Sequence, residues 1–370
     1  MMTRNDIYTE MAIELGAPNS ERFLNILDAM FTTDEARVCR ELFNPATCQE
    51  LAEKLDITEK ELTPMLDSLV DRGMLTRGKT QYAFHTSLIA FHHECVADTA
   101  PHQGPNAITQ KVKELWNDFF RNEWSYIFLE HTDRMVKTTG KNLPISPAIE
   151  ALERSTNIKP DDIMPEENWR QRIENAKRRI IAPCGCRVVW GKCDHPLMTC
   201  FACFDRPRGD YYLNQPGRLL KEITLAEAID IALEAEDSGL VHWGDCYCCD
   251  CCCENLFPVT RSGRYDLMTP NRFLAVMDTD KCKGCQDCVE RCKFEAVEMV
   301  PDTHSKRLKA SVSPEKCKGC GLCVIKCPQN AIRLEIVRPP EYLKPPPPPN
   351  SKESGKPVHV IPVWGHYNLK

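Results

Sequence analysis

The chain has 370 residues, 42 % of them hydrophobic, and 47 Lys and Arg against 53 Asp and Glu, a formal net charge of −6. That length allows roughly two to four domains with a sizeable core, and the acidic balance argues against an overall nucleic-acid binder. The opening MMTRNDIYTE has no apolar stretch of the secretory type, and no run approaches the roughly 18 apolar residues that cross a bilayer, so a cytoplasmic location is expected. In such a compartment the 22 cysteines read as metal ligands rather than disulfides. All but Cys39, Cys48 and Cys95 lie between Cys184 and Cys327, and those three read as small buried hydrophobes. The expected fold class is α+β and multidomain. It comprises a mainly helical N-terminal half, a cysteine-rich α/β middle, a two-cluster segment and an extended Pro-rich tail.

Within residues 1–95, a helix is predicted from about Thr33 through Ala36, Val38 and Leu42. A second starts at Thr47, where Glu50 completes a capping box and Leu51 and Leu55 turn inward. After a turn at Asp56, Thr58 and Glu61 form another capping box, and Leu62, Met65, Leu66, Leu69 and Val70 make an apolar stripe at helical spacing. Gly73 ends that helix, and LTRGKTQYAF reads as two strands around a tight turn. Residues 33–85 thereby resemble the winged helix–turn–helix domains of bacterial regulators. A DNA-reading helix presents cationic and amide side chains, whereas residues 58–72 carry Glu59, Glu61, Asp67 and Asp71 against Lys60 and Arg72. Pro64 is expected to kink this helix. A protein-docking winged helix is therefore preferred to a DNA-binding one.

Residues 96–180 read as a helical connecting region. Val112, Leu115, Trp116, Phe119 and Phe120 share one stripe of a long amphipathic helix over 105–135, with Trp124 and Ile127 further along. Residues 140–165, rich in Pro, Ser and Asn, are expected to cross in extended form. Residues 166–180 return to helix, and the strand RIIAP then delivers Cys184.

Residues 181–275 form a cysteine-rich metal-binding region with two groups. The first is Cys184, Cys186, Cys193, Cys200 and Cys203; the second is Cys246, Cys248, Cys249, Cys251, Cys252 and Cys253. Between them a helix is predicted, with a Thr224–Glu227 capping box and Gly239 as its C-cap, followed by a buried strand LVHW. Successive residues of an extended segment alternate faces, so the six cysteines of the second group cannot all serve one ion. The two groups either converge on a further iron–sulfur cluster or bind zinc as a structural staple; a cluster-free thiol site is the remaining alternative. His195 and His242 are candidate ligands, with ordinary hydrogen-bonded histidines the simpler reading.

Residues 276–338 contain an internal duplication offset by 35 residues, DKCKGCQDCVERCKFEAVEM and EKCKGCGLCVIKCPQNAIRL. Each carries C-x2-C-x2-C-x3-C: Cys282, Cys285, Cys288 and Cys292, then Cys317, Cys320, Cys323 and Cys327. This spacing signals two [4Fe–4S] clusters; zinc sites usually use two separated ligand pairs. The fourth cysteine of each set is expected at the start of a short helix. Gly284 and Gly319 fall where the backbone must turn tightly, and Val297 and Ile332 are expected to close a small core. Lys281, Lys283, Lys316 and Lys318 flank the ligands and can offset cluster charge. The segment resembles bacterial-type two-[4Fe–4S] ferredoxins. The resemblance implies Cys282, Cys285, Cys288 and Cys327 on one cluster, and Cys317, Cys320, Cys323 and Cys292 on the other. It departs from the family where Lys293, not Pro, follows Cys292. Over residues 184–327 the pattern C-x-C-R-x5-C-x2-P-x3-C, with Arg187 and Pro196, then a CC-x-CCC run and the duplication, resembles a group of multi-cluster iron–sulfur proteins of anaerobes. That resemblance implies electron transfer.

Residues 339–370 contain five consecutive prolines, which impose polyproline II, and end in the apolar KPVHVIPVWGHYNLK, read as an arm that wraps this protein or a partner. The leading expectation is a cytosolic iron–sulfur electron-transfer protein, or the electron-transfer subunit of an anaerobic oxidoreductase, docked to redox partners rather than to nucleic acid. The alternatives are a redox-sensing winged-helix regulator and an enzyme whose active centre is the unusual cysteine cluster. No G-x-G-x-x-G or G-x-x-x-x-G-K-[ST] motif marks a nucleotide site.

Overall fold

Helices α1 (Arg4–Leu15), α2 (Glu21–Met30) and α3 (Thr33–Glu41) open the chain, in a computed structural model that describes residues 4–85, 87–98, 100–140, 142, 145–201, 213, 215–302 and 307–343. Next come β1 (Ala46–Thr47), α4 (Cys48–Leu55), α5 (Glu59–Asp71), β2 (Thr76–Arg77) and β3 (Gln81–Ala83). Both expected capping boxes form, so each of Thr47 and Thr58 satisfies backbone donors reciprocally with the glutamate three residues on. Asp56 turns the chain between them with φ 55°. α5 runs on through Pro64, where the sequence predicts a kink. Burial of Leu62, Leu66, Leu69 and Val70 along one stripe holds it there despite the missing backbone donor. The three strands pair antiparallel in the order β1-β3-β2.

The long helix expected over 105–135 starts later and is not uniform. After α6 (Leu88–His93) and a π-helical turn Glu94–Asp98, α7 (Gln110–Phe119) passes through a second π turn, Phe120–Trp124, into α8 (Ser125–Thr139). Its apolar stripe meets α2, and Phe23 lies against Trp116 and Phe119 at 5.9 and 5.4 Å between ring centres. Residues 140–165 are not simply extended, because α9 (Ile149–Arg154) forms within them. Its N-terminus has no local side-chain cap. The buried Glu236 supplies one from a distance, accepting from the Ile149 and Glu150 amides at 2.9 and 3.3 Å. Nothing local to residues 140–165 encodes that cap.

α10 (Trp169–Asn175), β4 (Ile180–Pro183), α11 (Gly185–Trp190), β5 (Met198–Cys200), β6 (Lys221–Glu222), α12 (Leu225–Ser238), β7 (Val241–Trp243), β8 (Cys246–Cys248) and α13 (Leu256–Ser262) build the cysteine-rich middle. Its sheet has the order β6-β4-β5-β8-β7. The predicted Thr224–Glu227 box and Gly239 cap bound α12.

The duplication folds as two copies of strand–loop–helix–strand: β9 (Phe273–Met277), α14 (Asp287–Arg291), β10 (Val297–Pro301), then β11 (Leu308–Val312), α15 (Leu322–Lys326), β12 (Ile332–Ile336). The strands exchange partners, since β9 pairs with β12 and β10 with β11. Left-handed residues recur at the 35-residue offset: Gly284 and Gly319, Gln286 and Gly321, Glu295 and Asn330. Val297 and Ile332 are buried as expected. Cys203, the five prolines and the C-terminal arm lie outside the described residues.

Candidate metal centres

Four thiols of the duplication line one cavity: Cys282, Cys285 and Cys288 from the first copy and Cys327 from the second, with Met277, Met299 and Ile332 among its apolar walls. The second set, Cys292, Cys317, Cys320 and Cys323, is close enough that neighbouring thiols perturb one another. Burial first, then Cys292 and Cys317, push Cys320 up to about 12. Each fourth cysteine caps the C-terminus of its short helix, not the start as the spacing suggested. The helix carries the third cysteine, and the fourth leaves it in extended conformation, which lets it reach the other set. Equivalent amides, Ala296 N and Ala331 N, donate to Cys292 Sγ and Cys327 Sγ at 3.3 and 3.2 Å.

The glycines between ligands have no room for a side chain. A Cβ at Gly284 would lie 2.5 Å from Leu308 O, and one at Gly319 would collide with Asn271 Oδ1 and sit 2.5 Å from Phe273 O. A thiol-lined cavity, amides directed at sulfur and backbone closed in around the loops together fit a cubane bound by thiolates. Of the flanking lysines, Lys281 pairs with Asp278 at 3.0 Å, while Lys318 is buried beside Cys317. Lys309, which spacing did not single out, reaches the Thr279 and Cys282 carbonyls at 2.9 and 2.6 Å.

The two middle groups do converge. Cys193 of the first meets Cys249, Cys251 and Cys252 of the second, the four sulfurs all lying within 4.8 Å of one another. Individual separations are 3.7 Å to Cys249, 3.6 Å to Cys251, and 2.8 Å between Cys249 and Cys252. Contact with Cys252 holds Cys249 down at about 4 and Cys193 down at about 6, against the upward pull of burial. Two cations adjoin this set. Arg121 donates to Cys251 O at 2.6 Å and stacks 4.1 Å over the Trp190 ring. Arg187 is buried and donates to Tyr247 O at 2.7 Å; burial opposes its charge, but the thiolates of Cys184 and Cys249 favour it.

The other six described thiols gather separately. β5 and β8 place Cys200 directly opposite Cys246, with sulfurs 3.2 Å apart. Cys248 falls two residues on, hence on the same face as Cys246, and contacts Cys253; Cys186 contacts both Cys184 and Cys253. Tyr247, between them, points to the opposite face and stacks 4.8 Å from His242. His242 therefore lies on the face away from these thiols and is not one of their ligands; stacked on Tyr247, it is buried with neither ring nitrogen hydrogen-bonded, so the hydrogen-bonded reading is not met.

Sequence reasoning missed two features. Lys293, in the place of the family's Pro, pairs with Asp250 at 3.0 Å and ties the duplication to the CC-x-CCC run. His92, His93 and Glu254 form a second set of ligand atoms within 4.8 Å of one another. The adjacent histidines were the available signal, but Glu254 lies 161 residues from His93.

Among the described residues, no helix is long and apolar enough to cross a membrane. No curated protein and no solved structure matches the chain. Residues 275–334 match the family model of the 4Fe-4S dicluster domain. With that match, the thiol-lined cavity and the clustered middle cysteines, the chain is an iron–sulfur protein.

Proposed function

We propose that the chain is an electron-transfer protein, or the electron-transfer subunit of a larger oxidoreductase. It would hold one [4Fe–4S] cluster on Cys282, Cys285, Cys288 and Cys327, and another on Cys317, Cys320, Cys323 and Cys292. The observation that carries this reading is the cavity where Cys327 joins the three thiols of the other copy, the crossed ligation of two-cluster ferredoxins. Such clusters, when bound, supply reversible one-electron storage tuned by charge, hydrogen bonds and exposure. Here the chain contributes the Ala296 and Ala331 amides, the buried Lys318, and a solvent-exposed Cys285.

In the middle region, Cys193, Cys249, Cys251 and Cys252 suit a single tetrahedral ion. Metal–sulfur bonds of about 2.3 Å place four sulfurs about 3.8 Å apart; Cys193 lies near that distance from Cys249 and Cys251, at 3.7 and 3.6 Å, while Cys249 and Cys252, at 2.8 Å, would have to separate around an ion. Four thiolates around a divalent ion leave two negative charges, and Arg121 and Arg187 offset them. The six-thiol group is then the place for a third iron–sulfur centre.

Residues 33–85 are read as a docking winged helix. Two features support docking over DNA reading: the excess of acids in α5, Glu59, Glu61, Asp67 and Asp71 against Lys60, and the engagement of Asp71 by Asn106 at 2.9 Å and by the buried Arg218 at 2.7 Å. Anaerobically purified protein should contain about 8 irons if only the duplication is loaded and about 12 with a third cubane, with matching EPR signals on reduction. Fewer than about 6 after full reconstitution would overturn the two-cluster reading.

A further inference from the structure

The strongest unused chemistry lies where α6 meets the cysteine-rich middle. His92 is 0 % exposed and neither ring nitrogen has a hydrogen-bond partner. Aromatic rings pack against it: Trp116 at 4.8 Å and Phe120 at 4.6 Å between centres. Leaving a buried polar atom unsatisfied carries its full desolvation cost, so an imidazole with both nitrogens in that condition calls for a partner. The next residue, His93, has Nε2 3.0 Å from Glu254 Oε1. The other oxygen of the same carboxylate, Oε2, contacts the Cys186 thiol. Glu254 is 3 % and Cys186 6 % exposed, so the whole set is shut off from bulk water.

The backbone around the set is specialised. α6 ends at His93 and passes directly into the π turn Glu94–Asp98, while Phe120, which packs on His92, begins the other π turn. π turns are rare and concentrate at functional sites. α11 comes close enough that a Cβ on Gly185 would lie 3.2 Å from His92 Cε1.

We infer that His92, His93 and Glu254 bind one divalent transition-metal ion, zinc or ferrous iron, and that the Cys186 thiolate, which now touches only Glu254 of the three, moves in as the fourth donor. Two imidazoles, a carboxylate and a thiolate are all ordinary donors for these ions. Bonds of about 2.0–2.3 Å hold such donors about 3.3–3.8 Å apart; His92, His93 and Glu254 already present ligand atoms within 4.8 Å. The ion would take one of the orphaned His92 nitrogens and pin the N-terminal helices to the metal-binding middle. Five thiols of the six-thiol group remain without Cys186, enough for the four ligands of a cubane. This ion is separate from the clusters proposed above.

The test uses the full-length protein, purified anaerobically. Zinc and iron are quantified in the wild type, His92→Ala and Glu254→Gln, with EPR of the reduced clusters as a control. The expected result is loss of one metal equivalent per chain in both variants, with the two cluster signals retained. Should a variant fail to fold, the wild type alone decides. Zinc-edge X-ray absorption should show nitrogen and oxygen neighbours, or 57Fe Mössbauer spectroscopy a high-spin ferrous site distinct from the clusters. Full metal content in folded variants, or a wild type whose zinc sees sulfur alone and whose iron is all in clusters, overturns the inference.

Discussion

The duplication and the cysteine-rich middle carry comparable densities of thiol but hold them in opposite ways. In residues 275–334 a loop wraps a cavity, and the second copy lends its last cysteine, Cys327, to the three thiols of the first. In residues 184–253, strands and turns distant in sequence bring thiols into direct contact, with Cys193 and its three neighbours all inside 4.8 Å. A loop that wraps a void suits a preformed inorganic core, whereas the four thiols around Cys193 are close enough to share one ion; contact alone does not decide the occupant, since Cys200 and Cys246 of the six-thiol group also lie 3.2 Å apart.

The largest expected effect comes from paired ligand removals. Cys327→Ala should lower iron by about four per chain and abolish one of two cluster signals while leaving the Cys193 site loaded. Cys249→Ala should do the reverse, removing a single ion and sparing both signals. Metal analysis with EPR reads both; a loss of about four irons in Cys249→Ala would show that the two regions are not different in kind.

Next in size is Gly319→Ala, which tests whether the loops are as closely confined as the cavity requires. With φ at 76° and Asn271 in the space a Cβ would occupy, destabilisation of about 3 kcal/mol or more is expected. Chemical denaturation of the loaded protein measures it, and a change under about 0.5 kcal/mol would remove the argument for confinement.

The smallest effect concerns the tie between the regions. Lys293→Met breaks the pair with Asp250, whose side chains are 20 % and 36 % exposed, and should cost no more than about 1 kcal/mol. The loss should shrink in 1 M salt, where exposed charges are screened over about 3 Å. An equal loss at low and high salt would point to packing instead.

These contrasts were unequally legible in the sequence. The duplication declares itself because each loop is local: ligands, turn glycines and closing apolar residues all fall within one short window. The capping boxes at Thr47, Thr58 and Thr224 were readable for the same reason. The division of the middle cysteines was not, since it depends on which residue of β5 lies opposite which of β8 and on how the chain turns after Cys248. The helix at 149–154 was missed because its cap comes from Glu236, and the His92 set because its carboxylate arrives from another part of the chain.

The segment after α8 has a further consequence. Ala148 N donates to Cys320 O at 2.9 Å, Arg154 to Ile325 O at 2.7 Å and Asn157 to Leu334 O at 2.9 Å. The chain clasps one end of the duplication and leaves Cys285 at the other end open to solvent. The molecule therefore has polarity: on the electron-transfer reading proposed above, a partner would approach at the Cys285 end, where a ligand thiol is exposed, and not at the clasped Cys320 end.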